Sequence, residues 1–227
     1  MKSGSKKQTP KRPPELLAWQ AAVIAEVAKT PLAGVVTFGG RTALAVAYLH
    51  HRLSEDIDFF CLREVEQHEL LPLVRALTRR RLLVEQQVEG PRRILVLSNA
   101  KGEVGHIDIA YYPFDPIDRP ISWQGLRVDS LLDMTVNKLQ AVLTRFRPRD
   151  FVDLYFLLGD RNKRDFARLL SFVRAKFGTG ADRMALAERF LRVVEIQELP
   201  RLLLPVSIAD LVATFDGWAR ELIRERG

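Results

Sequence analysis

The sequence predicts an α+β fold, with a mixed sheet and its helices in the first half and a helical bundle in the second. Short apolar runs of strand composition, at residues 35–38, 56–60, 82–88, 92–97 and 104–111, all fall before residue 112. From Ser130 onward apolar residues recur at helical spacing instead, as in Leu132, Val136, Leu139, Leu143 and Phe146. The 227 residues (25.9 kDa) suffice to bury a genuine core, as one domain or two small lobes.

Taken in order, residues 1–14 read as a flexible basic tail. Pro13 and Pro14 precede an amphipathic helix carrying Leu16, Leu17, Val23, Ile24 and Val27, which runs to about Lys29 and is broken by Pro31. Val35-Val36-Thr37-Phe38 is a strand, Gly39-Gly40 a turn, and 42–51 an Ala/Leu-rich helix. A second strand, 56–60, is followed by a helix over about 66–79 and three further strands, the last two separated by the turn Ser98-Asn99-Ala100-Lys101-Gly102. Pro113, Pro116 and Pro120 mark the region 115–122 as the seam between lobes, and further helices are expected at 149–159, 163–176, 181–195 and 207–225. The expected division is thus a tail (1–14), a core (15–128) and a helical bundle (129–227).

Hydrophobic residues at 47% and charged residues at 28% exclude a disordered, fibrous or low-complexity chain. Cys61, the one cysteine, cannot form an internal bridge, and no signal-type segment opens the chain, so a cytoplasmic location is expected. No apolar run reaches the roughly 18 residues of a membrane span. The net charge of +7 is misleading, because Lys2, Lys6, Lys7, Lys11 and Arg12 lie in a tail without acids, leaving 30 basic against 28 acidic residues. The folded body is therefore nearly neutral, and the tail is solvated whether or not it touches RNA or DNA.

The most informative chemistry is Asp56-Ile57-Asp58. Alternate residues of a strand share a face, which sets the two carboxylates roughly 7 Å apart. Such a pair either stands solvated on an exposed sheet or repels until a cation lies between, and carboxylates with phosphate oxygens suit Mg²⁺. Asp108, flanked by the core-facing Ile107 and Ile109, is a third candidate on a strand. Three carboxylates on adjacent strands would make a metal site for in-line phosphoryl displacement. Upstream, Gly39-Gly40 between a strand and a helix would let backbone N–H groups approach a triphosphate. No P-loop or Gly-x-Gly-x-x-Gly sequence occurs.

Phe38-Gly39-Gly40-Arg41-Thr42-Ala43-Leu44 and His51-Arg52-Leu53-Ser54-Glu55-Asp56-Ile57-Asp58-Phe59-Phe60 together resemble the first motif of the AbiEii/AbiGii family, type IV toxin nucleotidyltransferases of the DNA-polymerase-β-like superfamily. The resemblance continues in Asp108, in Asn137-Lys138-Leu139-Gln140-Ala141-Val142-Leu143-Thr144-Arg145, and in Arg149-Asp150-Phe151-Val152-Asp153-Leu154-Tyr155. It implies a nucleotidyltransferase-like sheet, Mg²⁺ on Asp56 and Asp58, Asp108 as third carboxylate and general base, and Gly39, Gly40 and Thr42 on the phosphates of an NTP. Lys138 would meet the triphosphate, with Arg145 on the same helix face, and Asp150 would lie near the active site. Arg52 and Ser54 also match, Ser54 either at the nucleotide or satisfying backbone donors, and Arg52 neutralising the acidic pair from outside. Arg41 stands where relatives often carry a small hydroxyl residue, so it either adds a phosphate contact or shifts the loop.

By spacing alone Arg149 could pair with Asp153, whose role reads as architectural. His50 and His51 lie on the helix without partners at metal-ligand spacing, and Cys61 reads as a buried small hydrophobe. The resemblance implies attack of an acceptor hydroxyl on the α-phosphate of an NTP. The acceptor would be RNA such as a tRNA end, or protein, and a cognate antitoxin would restrain the toxin. The alternatives are a non-catalytic nucleotide- or RNA-binding module on the same fold, and a metal-dependent phosphohydrolase or nuclease, which the Gly-Gly turn and Lys138 disfavour.

Overall fold

The computed structural model describes residues 15–159 and 165–224. The basic tail expected over 1–14 lies outside them. Helix α1 (Ala18–Val27) leads through a 3-10 turn at Pro31–Gly34 into β1 (Thr37–Gly39), which passes directly into the short helix α2 (Gly40–Leu44). A π-helical turn, Ala45–Leu49, continues α2 and closes with the His50 N–H donating to the Ala45 carbonyl at 2.8 Å. His50 then takes left-handed backbone (φ 53°) and the helix stops. The single helix expected over 42–51 is therefore two helical geometries that begin two residues earlier.

The next elements follow the sequence pattern: β2 (Ile57–Cys61), α3 (Gln67–Arg79), β3 (Leu83–Glu89), β4 (Arg92–Asn99) and β5 (Gly102–Tyr111). The apolar period did not announce the hairpin that comes next, β6 (Ile121–Trp123) and β7 (Leu126–Val128). Three-residue strands are too short to display a period. The local signal was Gln124-Gly125, both at positive φ (48° and 82°), a two-residue turn of the kind that glycine favours. The helical half comprises α4 (Leu131–Thr144), α5 (Pro148–Leu158), α6 (Phe166–Phe177), α7 (Arg183–Leu191) and α8 (Ile208–Arg224). Among the described residues no helix is long and apolar enough to cross a membrane.

The seven strands form one sheet in the order β3-β4-β5-β2-β1-β7-β6. β2 occupies the centre, parallel to β5 and antiparallel to β1, while β7 runs parallel to β1. Alternation sends Ile57, Phe59 and Cys61 into the core and leaves Asp58 and Phe60 on the opposite face. Ile107 and Ile109 of β5 are buried beside them. The buried side chains form one continuous cluster from Val23 and Ile24, through Phe38 and Phe59, to Phe151, Phe190 and Phe215 of the helical half. In that half the ring of Phe215 lies 5.1 Å from Phe151, 5.0 Å from Phe190 and 4.7 Å from Trp218.

Two contacts tie distant segments to the approach of β2. Gln20, buried in α1, donates from Nε2 to the Ser54 carbonyl at 2.8 Å. The segment before α8 crosses back: Leu53 N–H donates to the Arg201 carbonyl at 2.9 Å, and Leu203 and Leu204 N–H both donate to the His51 carbonyl. The backbone of residues 51–54 is thereby held from both ends of the chain.

Candidate active site

The site forms where β1, α2, β2 and β5 meet. Gly39 of β1 is paired with Asp58 of β2, and Asp58 lies in register with Asp108 of β5. The two carboxylates therefore rise side by side from neighbouring strands, about 4.8 Å apart at the backbone. Gly40 turns the chain at φ 67°, and a Cβ there would lie 2.2 Å from Asp58 Oδ2. Glycine is required at this position both by the backbone and by the space. Gly40→Ala is expected to lower the unfolding free energy by about 1–2 kcal/mol from the left-handed backbone alone; urea unfolding checks this, and an unchanged midpoint would contradict the close approach.

Asp58 has little to compensate its charge. The Arg41 backbone N–H donates to its Oδ2 at a long 3.4 Å. Burial pushes its carboxyl above the ordinary range; the Arg41 charge works against this, and the neighbouring Asp108 and Asp56 add to it. Asp56 precedes the first residue of β2 rather than lying on the strand, and its side chain is 32% exposed. It pairs with the Arg41 guanidinium, and its backbone carbonyl accepts from the Thr42 hydroxyl, which fixes α2 against β2. His106 Nδ1 stands 3.9 Å from Asp56 Oδ1. Asp108 accepts from Arg92 Nη2 of β4 at 2.6 Å.

Arg41 thus holds Asp56, and Arg92 holds Asp108. Among the described residues no three Asp, Glu, His or Cys side chains close on a single point as ligands. Of the three carboxylates expected from the sequence, the half-buried Asp58 stands beside Asp108, with Asp56 to one side. This donor set still suits Mg²⁺, which takes one or two carboxylates and completes its shell with substrate phosphates and water.

The second constellation is buried behind the first. Lys138 of α4, read from sequence as facing either the cleft or solvent, lies inside, 2.8 Å from Asp150 Oδ1 and 2.6 Å from Asp153 Oδ2 of α5. Arg145, the extended residue that caps the end of α4 rather than a member of its face, reaches Asp150 Oδ2 through Nε at 3.1 Å, so Lys138 and Arg145 both close on Asp150. Asp153 does not pair with Arg149. It accepts from Arg52 Nε at 2.6 Å and Nη2 at 2.9 Å, and from His51 Nε2 at 2.9 Å. Arg52 therefore neutralises Asp153 rather than Asp56 and Asp58. Burial alone would raise the Asp153 carboxyl, but Lys138, His51 and Arg52 outweigh it and hold the group well below the usual carboxylate range. Burial pushes the His51 imidazole down against the pull of Asp153.

His51 had no local signal, since its partner lies 102 residues away in the sequence. Its neighbour His50, also without a partner at sequence level, lies 3.1 Å from Glu15. Arg201 was likewise invisible, because only the backbone pairing of its loop with Leu53 brings it near. With Arg41, Arg149 and Asp56 it lines a hollow of about 290 Å³ in which Ser54 also takes part. Cys61 is buried, and burial pushes its thiol up to about 11, which leaves it inert.

Comparison with known proteins agrees with this arrangement at the level of fold. A candidate nucleotidyltransferase from Helicobacter pylori superposes with a TM-score of 0.59 at 20% identity, covering 89% of this chain and 90% of that one. The Helicobacter pylori protein JHP933 superposes with a TM-score of 0.57 at 20% identity, covering 89% of this chain and 88% of its own. No curated protein matches the sequence. The sequence model of the family described as nucleotidyl transferase AbiEii toxin, type IV TA system, matches residues 23–221, and the chain belongs to that family.

Proposed function

We propose that the protein is a Mg²⁺-dependent nucleotidyltransferase that moves a nucleoside monophosphate from an NTP to a hydroxyl of RNA, such as a tRNA end, or of protein, in a toxin role restrained by a cognate antitoxin. The observation that carries this reading is the half-buried Asp58, held by one long backbone hydrogen bond, in register with Asp108 and packed against the Gly39-Gly40 turn. We take residues 15–128 as the catalytic core and 129–227 as the helical bundle, with the boundary between β7 and the α4 N-cap Ser130.

In this reading Asp58 and Asp108 would hold Mg²⁺, with Asp56 joining them on release from Arg41, and the ion would neutralise charge developing on the transferring phosphate. The Gly39-Gly40 turn would offer backbone N–H groups to the phosphates close to Asp58, with Thr42 and Ser54 holding the surrounding backbone. The acceptor hydroxyl oxygen forms a bond to the α-phosphorus, the bond from that phosphorus to the β-phosphate oxygen breaks, and pyrophosphate leaves. Asp108 takes the hydroxyl proton once Arg92, which is 44% exposed, swings away. Arg41, Arg149 and Arg201 offer positive charge to phosphates beside Asp56. Lys138, Asp150 and Arg145 act from behind as one charged block that sets the position of α5 against α4.

The test is transfer of label from each α-³²P NTP, with Mg²⁺, to total tRNA and to protein. Label from one nucleotide moving to one acceptor class is the expected result. The arginine pairs on Asp56 and Asp108 favour a second reading, a module that binds nucleotide without turnover. NTP binding with no transfer to either acceptor would support it and overturn the first.

A further inference from the structure

On the face of the sheet that carries Asp58, a cavity of about 330 Å³ opens beyond Phe60. Its size is that of the smaller ligand pockets, roughly 300–1,000 Å³. Phe60 lies two residues along β2 from Asp58, so the cavity begins roughly 7 Å from the candidate catalytic carboxylate, which is the reach of a ribose attached to an α-phosphate. One wall is aromatic: the Phe60 and Tyr112 rings lie 4.9 Å apart, as do those of Tyr112 and Phe114. Pro116 and Pro120 line it as well. The loop bearing Pro116 is drawn down by Asp133, whose carboxylate accepts from Ile117 N–H at 2.9 Å and Asp118 N–H at 3.1 Å. Aromatic and proline side chains around such a cavity suit a planar ring.

One carboxyl lines the cavity. Asp129 follows β7, lines the cavity and sits beside Gly39, where a Cβ would lie 3.0 Å from its Oδ2. Asp133 and Lys176 nearby are bound to each other at 2.6 Å, so that lysine is already committed. Burial pushes the Asp129 carboxyl up to about 6, with Lys176 working against the shift and Asp133 adding to it. A carboxyl in such surroundings gains most from N–H donors supplied by a ligand.

We propose that this cavity receives the base of the NTP, its ring between Phe60, Tyr112 and Pro116 and its donor edge on Asp129, so that Asp129 selects among nucleotides. The proposal rests on the nucleotidyltransferase reading and names the selectivity element of that site.

The test is calorimetric titration of the full chain, with Mg²⁺, by each of the four NTPs and by inorganic tripolyphosphate, which carries the charge without a base. Wild type is expected to bind one NTP at least about tenfold more tightly than tripolyphosphate and to separate the four NTPs. Asp129→Asn, which removes the carboxylate charge without changing the size of the side chain, is expected to reorder or level the four NTPs while leaving tripolyphosphate unchanged. An unchanged ranking in the variant, equal weakening of tripolyphosphate, or no advantage of any NTP over tripolyphosphate in wild type would each overturn the proposal. Base-dependent binding that Asp129→Asn alters, without label transfer to RNA or protein, would uphold this pocket while removing the transferase reading.

Discussion

Asp153→Ala is expected to lower the unfolding free energy by about 3–5 kcal/mol, the range seen when one partner of a buried ion pair is removed. Asp153 is fully buried and accepts from His51, Arg52 and Lys138 at once. Its removal leaves the guanidinium of Arg52 buried without a counter-charge, and Lys138 with Asp150 alone. His51 would lose the acceptor of its Nε2, and its Nδ1 already lacks a hydrogen bond in the described structure. Asp153→Asn keeps the shape but not the charge and is expected to fall between alanine and wild type. Urea unfolding followed by circular dichroism measures both, and a loss below about 1 kcal/mol for alanine would show that the network is not holding α5 to the segment before β2. The pH dependence has a definite sign. A carboxyl depressed in the folded state contributes stability that is complete above its unfolded pKa, about 3.9, and is lost only as pH falls through the lower folded value. Between pH 8 and pH 5 the contribution of Asp153 is therefore expected to stay constant.

Asp58→Asn is expected to do the opposite in both respects. Loss of a metal-holding carboxylate removes several kcal/mol of transition-state stabilisation, so label transfer is expected to drop by about 10³-fold, equivalent to about 4 kcal/mol. Stability is not expected to drop with it. The carboxyl of Asp58 is raised by burial, so its ionised form opposes folding and an amide relieves that cost. Because the folded pKa is raised, this penalty is absent below the unfolded value, about 3.9, grows as pH rises from there and is complete above the shifted value, so the gain in melting temperature is expected to be larger at pH 7 than at pH 3. A variant that retains transfer within tenfold of wild type would remove Asp58 from the reaction. A variant that loses transfer but also melts far below wild type would mark Asp58 as architectural, like Asp153. The two aspartates, both on charged motifs, are thus separated by the sign of their effect on stability.

Much of the frame was legible before any coordinates. Strand and helix are distinguished by periods of two and 3.6 residues, which are local properties, so β2, β3, β4, β5 and the helices from α3 onward could be read within a few residues. Gly39-Gly40 announced the turn, and Asp58 and Asp108, acidic residues inside apolar strands, announced a face with a purpose. The hairpin of β6 and β7 escaped because its strands are shorter than one detectable period.

Residue type and spacing by themselves determined the α+β order and the placement of Asp58 and Asp108 on sheet strands. Only the tertiary structure decided which charges meet. It sent Arg52 and His51 to Asp153, across 101 and 102 residues, Arg41 to Asp56 and Arg92 to Asp108, and it left Asp58 with one long hydrogen bond from the Arg41 backbone. The reason is that pairing and burial are set by which surfaces the packed core brings together. A sequence records the charge of each residue, but the partner of a buried charge exists only once the intervening hundred residues have folded around it.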